Sequence, residues 1–266
     1  MKKTSRMSTR IDLEISDGLA TVTLHNPAKL NAVNAAMWRS LSSAMLQVAD
    51  DASVRCVILR GAGDEAFAAG GDIEEFLRVR TNVEDALHYH EDLVATALNA
   101  IRDCAVPTVA AIRGACIGGG LEIAGCCDIR IAGESSRFGA PINRLGFSMY
   151  PGEMAGLLAL VGPAVVLEIL LEGRILSARE ALQKGLLSRV VDDEKVFEEA
   201  ATCAARICAG APLVARWHKR WVKRLMTGGA LSEAERRDAF AFLETEDYRE
   251  GLDAFLGKRS PVFRGR

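Results

Sequence analysis

The sequence predicts an α/β protein, and three observations carry that expectation. Short apolar runs of strand type alternate with longer stretches whose apolar residues recur at helical spacing. A glycine-rich loop twice joins the end of a strand to the start of a helix. Strand signals then stop near residue 193, leaving a purely helical tail.

The elements follow in order. Ile11 to Ser16 and Leu19 to Leu24 alternate apolar and polar residues around Asp17-Gly18, a dipeptide that closes two-residue hairpins. Asn26-Pro27 marks a turn, and from Asn34 to Val48 the residues Met37, Leu41, Met45 and Val48 keep the stride of an amphipathic helix. A buried strand from Val54 to Leu59 ends in a glycine pair, Gly61 and Gly63. The pattern then recurs as a helix from about Val83 to Ile101, a strand from Pro107 to Ile112, and a glycine run leading into another helix. Asp128 to Ala132 reads as a strand, followed by helices near Gly152 to Leu160, Ala164 to Leu171 and Ser177 to Lys184, with a last short strand at Val190-Val191. Beyond Asp193 the pattern predicts three helices, roughly Asp193 to Ala209, Pro212 to Met226 and Ser232 to Leu256. We expect a core over residues 11–192 and a separate helical layer over 193–266.

Composition narrows the function classes. The 266 residues hold 49% hydrophobic and 26% charged side chains, ordinary for a packed protein, and 33 basic against 35 acidic residues leave a net charge of −2. No global field then selects nucleic acid or anionic lipid. Seven cysteines lack paired zinc or disulfide-scaffold spacing, which suits a reducing compartment. The basic start MKKTSRMSTR, where Met7 is an alternative initiator, has no apolar segment behind it and does not read as a secretory signal. The longest apolar run, Met154 to Leu167, is short of a membrane span and contains Gly162-Pro163. These features predict a cytoplasmic protein without a membrane partner.

The stretch GACIGGGLEIAGCCD, residues 114–128, asks most plainly for a function. A phosphate-binding loop needs a lysine after its last glycine, and here Gly125 is followed by Cys126-Cys127. A dinucleotide fingerprint begun at Gly118 would need glycine where Ile123 stands. Glu122, in the first turn, would in addition repel a phosphate. Two readings survive: a glycine-rich close crossing of helix over strand, or a helix N-terminus whose N–H groups meet an oxygen that becomes negative during reaction, with Glu122 moving a proton beside it. The second loop, FAAGGDI at 67–73, favours the latter. It too follows a strand and precedes a helix, with Asp72 placed to be the N-cap, so two loops can supply two donors.

Together, AFAAGGDIEEF (66–76), GACIGGGLEIAGCCDIRIA (114–132) and RFGAPINRLG (137–146) resemble the crotonase superfamily of enoyl-CoA hydratases and isomerases. The resemblance spans nearly the whole chain, from NPAKLNAV (26–33) through GRILSAREALQKGLLSRVV (173–191) to the tail. It implies a spiral of ββα turns with a C-terminal helical region that packs homotrimers, often paired into hexamers. It implies that Gly71 and Gly119 give the oxyanion N–H groups, that both bond the carbonyl oxygen of an acyl-CoA thioester, and that Glu122 is an acid/base. Ala69 and Ile73 are the implied contacts to coenzyme A, which enters as part of the substrate; no other cofactor and no metal is implied.

One departure bears on the reaction. The hydratases of the superfamily read F-G-x-P-E where this chain reads Phe138-Gly-Ala-Pro-Ile142, so the usual second glutamate is Ile142. Water addition needs a base for the water and a proton for the α-carbon. Asn143, Arg144, Tyr150 and Glu153 follow nearby as candidates for that place. Hydration or double-bond isomerisation is the expected chemistry; the alternatives are decarboxylation or thioester hydrolysis on the same site, or a catalytically weak member of the family acting as an interaction or nucleic-acid-binding protein. A second departure is Glu74, where relatives place a basic residue near the CoA phosphates; Arg78, Arg80, Lys258 and Arg259 are the cations that could compensate.

Other features are weighed against this. In HYHE, 88–91, two histidines two residues apart on a helix diverge, which disfavours a metal pair. Cys126-Cys127 on an apolar helix reads as core packing. The basic aromatic stretch RWHKRWVKR, 216–224, has the look of a nucleic-acid binder. The near-neutral net charge favours instead an amphipathic tail helix whose Trp217 and Trp221 are covered by protein.

Overall fold

A computed structural model describes residues 9–266, so most of the basic start, Met7 included, lies outside the described residues. Two strands, β1 (Arg10–Ser16) and β2 (Leu19–His25), form the expected hairpin. Asp17 and Gly18 both take positive φ (51° and 79°), the left-handed pair that matches the twist of the flanking strands. The helix α1 (Ala35–Asp50) starts where Asn34 accepts a hydrogen bond from Met37 N, and Met37, Trp38, Leu41 and Met45 are fully buried along one face. Each such burial is worth about 1.5–3 kcal/mol.

From there the chain winds as repeated ββα turns. The strand β3 (Cys56–Gly61) lies in a large sheet, β4 (Ala66–Ala68) in a small one, and α2 (Ile73–Val79) follows. A long helical passage comes next, α3 (Val83–Leu87), a π-helical segment His88–Ala95, and α4 (Thr96–Asp103). The second turn is β5 (Thr108–Ile112), β6 (Ala115–Ile117) and α5 (Gly119–Cys126). The third is β7 (Ile129–Gly133), β8 (Arg137–Gly139) and α6 (Pro151–Glu172). Then come β9 (Leu176–Ser177), α7 (Ala178–Gln183) and β10 (Arg189–Val191). The large sheet runs β1-β2-β3-β5-β7-β10, parallel except for the first hairpin, and the small sheet runs β4-β6-β8-β9. This is the α/β spiral of ββα turns that the resemblance to the crotonase superfamily implies.

The small sheet is absent from the sequence reading. Its strands are two or three residues long, too short to show a period of two. The helix α6 also differs in detail. By length and composition Pro151–Glu172 would suffice to cross a membrane, but at Gly162 the backbone leaves the helix (φ 71°, ψ 173°) ahead of Pro163. Two shorter helices abut there, as the sequence predicts.

The large sheet separates two apolar layers. Val57 and Leu59 point to the main core with α1, α4 and α5, while Cys56 and Ile58 point to the other face. On that face α8 (Val196–Cys208) lays Val196, Ala200, Cys203 and Ala204. The tail continues with α9 (Pro212–Met226), α10 (Glu233–Asp238) and α11 (Glu246–Leu256). The single helix predicted over Ser232 to Leu256 is thus two. A 3-10 turn at Ala241–Glu244 breaks it, and Thr245 restarts the helix by accepting a hydrogen bond from Tyr248 N at 3.1 Å.

Candidate active site

The strands β4 and β6 are parallel neighbours, so the two glycine loops leave the small sheet side by side at its carboxyl end. A Cβ added at Gly118 would lie 3.7 Å from Gly70 Cα, and one at Gly70 would lie 3.5 Å from Ile117 O. Only glycine suits both, since Gly70 and Gly118 have φ of 119° and 49°.

The first loop is held by NPAKLNAV. Asn31, almost fully buried, takes a left-handed φ of 58°, accepts from Asn26 N, and donates from Nδ2 to Ala62 O and Ala66 O at 2.9 and 2.8 Å. Ala69 N donates to Leu30 O, Val33 N to Gly70 O and Asp72 N to Val33 O. In extended backbone, alternate N–H groups point to opposite sides. With Asp72 N turned towards Val33, Gly71 N–H faces away from it, takes no acceptor among the described residues, and Gly71 lines a pocket. Asp72 is the N-cap residue of α2, as predicted, but its side chain makes no cap bond; it pairs with Lys29 at 2.8 Å, as does Glu74.

The triple glycine divides into three tasks. Gly118 makes the turn. Gly119 opens α5, whose first intrahelical bond is Glu122 N to Gly118 O, so Gly119 N–H has no acceptor among the described residues and Gly119 lines the same pocket. Gly120 lets the helix cross the strand, for a Cβ there would meet Ala68 O at 2.3 Å. The packing reading fits Gly120, while the donor reading concerns Gly119, a different glycine of the same run.

Glu122 is 7% exposed on the first turn of α5 and lines this pocket. No group among the described residues hydrogen-bonds its carboxyl. Burial pushes its pKa well above the usual carboxylate range, and the charge of Glu153 pushes it further. Ala69 and Ile73 stand on the wall of the pocket, Ile73 47% exposed. Ile142 also lines it, so the motif position that holds glutamate in hydratases presents a hydrocarbon here.

Sequence reasoning names Glu153 only as one candidate among several near α6. The structure buries it in the first turn of that helix, on the pocket wall, with Oε1 2.6 Å from His90 Nδ1. His90 belongs to the π-helical segment, a form of helix that recurs at functional sites. Spacing does not find this pair, because its members are 63 residues apart. The neighbouring candidates go elsewhere. Tyr150 donates to Glu91 and stacks on His90, with ring centroids 5.6 Å apart, while Asn143 donates to Leu171 O. Tyr89, beneath His90, meets Trp38 Nε1 at 3.2 Å, and burial raises its pKa above that of a free phenol.

The other flagged features resolve as follows. His88 pairs with Asp92 at the surface while His90 turns inward, so the two histidines diverge. Cys126 and Cys127 are buried, and desolvation pushes the Cys126 thiol up to about 12. Arg80 lies over the rings of Phe76 and Phe147 at 4.3 and 4.5 Å and lines the pocket, whereas Arg78 pairs with Glu75 and Arg259 with Glu250. In the basic helix α9, Lys219 pairs with Asp128 at 2.6 Å, Arg220 with Asp238 and Arg224 with Glu235. Trp217 and Trp221 line an apolar groove closed by Phe242, Tyr248 and Phe263. That helix spends much of its charge within the fold.

Residues 14–266 match the family model described as Enoyl-CoA hydratase/isomerase. A protein of Bacillus subtilis described as a probable enoyl-CoA hydratase is 37% identical over 262 residues, covering 96% of this chain and 98% of its own. The crotonyl-CoA hydratase of Syntrophomonas wolfei is 32% identical over 255 residues, 95% and 97% covered. Among solved structures, an enoyl-CoA hydratase/carnithine racemase from Magnetospirillum magneticum superposes with a TM-score of 0.94 at 48% identity, over 98% of this chain and 97% of that one. The enoyl-CoA hydratase of Bacillus anthracis superposes with a TM-score of 0.87 at 29% identity, over 96% and 99%. With its ββα spiral and paired glycine loops, the chain belongs to the enoyl-CoA hydratase/isomerase family of the crotonase superfamily and is an enzyme of that type.

Proposed function

We propose that this enzyme adds water to, or shifts, the double bond of an enoyl-CoA thioester through an enolate whose oxygen is held by the N–H groups of Gly71 and Gly119, with Glu122 as the acid/base at the α-carbon. One observation carries the reading: two backbone N–H groups without acceptors and one buried carboxyl without a hydrogen-bond partner, among the described residues, share a single pocket. Donors fixed in place before reaction stabilise charge that develops on the thioester oxygen, each worth about 2.7–4 kcal/mol in comparable sites. A carboxyl whose pKa is raised by burial is suited to deliver a proton to the α-carbon, or to take it in the reverse direction. The relatives described as hydratases support water addition as the reaction.

Ala69 and Ile73, on the pocket wall, are the proposed contacts to coenzyme A, and Arg80 is the cation at this pocket able to meet an anionic part of the substrate. We propose a homotrimer, or a hexamer formed by two trimers, in which partner subunits cover the exposed Phe255, Leu256, Val222 and Leu225 of the tail. Light scattering on the purified protein tests the assembly. The reaction is tested by offering 2-enoyl-, 3-enoyl- and malonyl-type CoA esters in D₂O and following product mass and α-deuterium. Hydration or isomerisation with α-deuterium is the expected result; inertness toward every ester overturns the reading.

A further inference from the structure

We propose that Glu153, oriented by His90, is a second catalytic carboxylate of this pocket and serves as the base that activates water. The inference rests on the enolate reading above and assigns the half of the reaction that Glu122 leaves open.

Four observations converge on Glu153. It is buried on the pocket wall, although a glutamate at a helix start is ordinarily a solvated first-turn acid. Its single side-chain hydrogen bond, to His90 at 2.6 Å, uses Oε1 and leaves Oε2 without a protein partner among the described residues. It lines the same pocket as Glu122, and its charge adds to burial in raising the pKa of that group, so the two acids face one space. Finally, His90 is itself 13% exposed in its side chain and clamped between Tyr89 and Tyr150, its ring 5.2 and 5.6 Å from theirs, on a π-helical segment. A buried carboxylate held by a fixed imidazole has the form of a positioned base, for a charge is costly to bury unless it is paired, and here the pair faces a pocket. The other titratable groups lining this pocket are Glu122, Tyr89, His90 and Arg80, and Glu91 is engaged by Tyr150.

The step balances with water as the only co-reactant. The Glu153 carboxylate takes one proton from water as the water oxygen bonds to the β-carbon. The π electrons of the double bond move to form the enolate, whose oxygen the two glycine N–H groups hold. Glu122 then gives its proton to the α-carbon, and the proton on Glu153 passes back to Glu122 to restore the resting pair. His90 does not touch the substrate in this scheme; it is a positioning residue that fixes which oxygen of Glu153 faces the pocket.

Two activities separate the two acids. Exchange of the α-hydrogen of butyryl-CoA in D₂O needs the glycine N–H groups and Glu122, whereas hydration of crotonyl-CoA needs Glu153 as well. In Glu153→Gln, hydration is expected to fall by about 10²–10⁴-fold. Exchange is expected to persist or rise, because the variant loses the charge that helps keep Glu122 protonated. Retained exchange also shows that the fold and the oxyanion donors survive. His90→Leu is expected to lower kcat for hydration with little change in KM, and His90→Gln, whose amide can still donate to Glu153, to recover most of it. Hydration by Glu153→Gln at the wild-type rate overturns the proposal while leaving the enolate reading intact. Loss of exchange along with hydration in that variant overturns the division of labour. A wild-type protein that neither hydrates nor exchanges defeats the underlying reading instead.

Discussion

The two walls of the pocket are built from different materials. On one side Gly71, Gly119 and Glu122 come from loops that follow adjacent strands, and each donor is placed by residues close to it in the chain or by one neighbouring segment. On the other side His90 and Glu153 come from a π-helical segment and the start of α6, and they meet only because both elements pack together. In the proposed reaction the first wall offers bare backbone to a charge that develops on the substrate; the second sets a carboxyl beside an imidazole. The contrast separates what a local motif can specify, namely direction and spacing of N–H groups, from what only tertiary packing can, the proximity of two side chains.

The largest expected effect lies on the first wall. Glu122→Gln keeps the shape of the side chain but cannot exchange a proton, so kcat/KM for the active enoyl-CoA is expected to fall by about 10²–10⁴-fold with little change in the circular dichroism spectrum. A rate within threefold of wild type would mean that the second wall alone does the proton chemistry. Next in size is Gly119→Pro, which removes one donor at a helix position where proline is tolerated. Its Cβ approaches Trp38 Cζ2 at 3.1 Å, so a small shift of that ring is expected, along with a loss of about 10²–10³-fold in kcat. An unchanged kcat would remove Gly119 from the oxyanion role.

A structural variant sharpens the same comparison. Gly120→Ala brings a methyl group to 2.3 Å from Ala68 O, a backbone atom that cannot swing aside. Helix α5 must then lift from β4, separating the two loops. Overpacking of this kind costs about 1–3 kcal/mol, read as a lower denaturant midpoint, and hydration should fall in parallel because the donors no longer converge. If stability drops and kcat does not, the spacing of the loops matters less than their individual geometry.

Legibility in the sequence follows the same division. The glycine loops, Glu122 and the hairpin at Asp17-Gly18 are readable because their physical demands are local: positive φ, a bare N–H, a turn of fixed twist. Most strands of the large sheet are readable from apolar runs. The small sheet is not, since strands such as Ala115–Ile117 are too brief to show alternation and exist because the spiral brings them together. The break within 232–256 carries a signal that periodicity overrides, a threonine followed by Glu246 and Asp247, the composition of a helix start. Ile142 is visible as a departure from a motif. The carboxylate proposed in its place is not, because Glu153 stands out only through its burial and its distance to His90.

The smallest expected effect concerns stability and tests whether the two walls share one electrostatic site. Glu122 has a folded-state pKa raised above its unfolded value of about 4.3, first by desolvation and then by Glu153. Below about pH 4.3 the group is protonated in both states and costs nothing. As pH rises, the unfolded chain ionises first and the folded state progressively loses relative stability, until the pH passes the folded pKa and the loss levels off. Glu122→Gln lacks this titration. Its melting temperature should therefore match wild type at low pH and exceed it increasingly as pH rises through that window, by a few degrees for each kcal/mol recovered. In a Glu153→Gln background the cause contributed by Glu153 is gone, so the gain from Glu122→Gln should saturate at lower pH and be smaller. An identical gain in both backgrounds would show that desolvation alone sets Glu122 and that the two walls titrate independently.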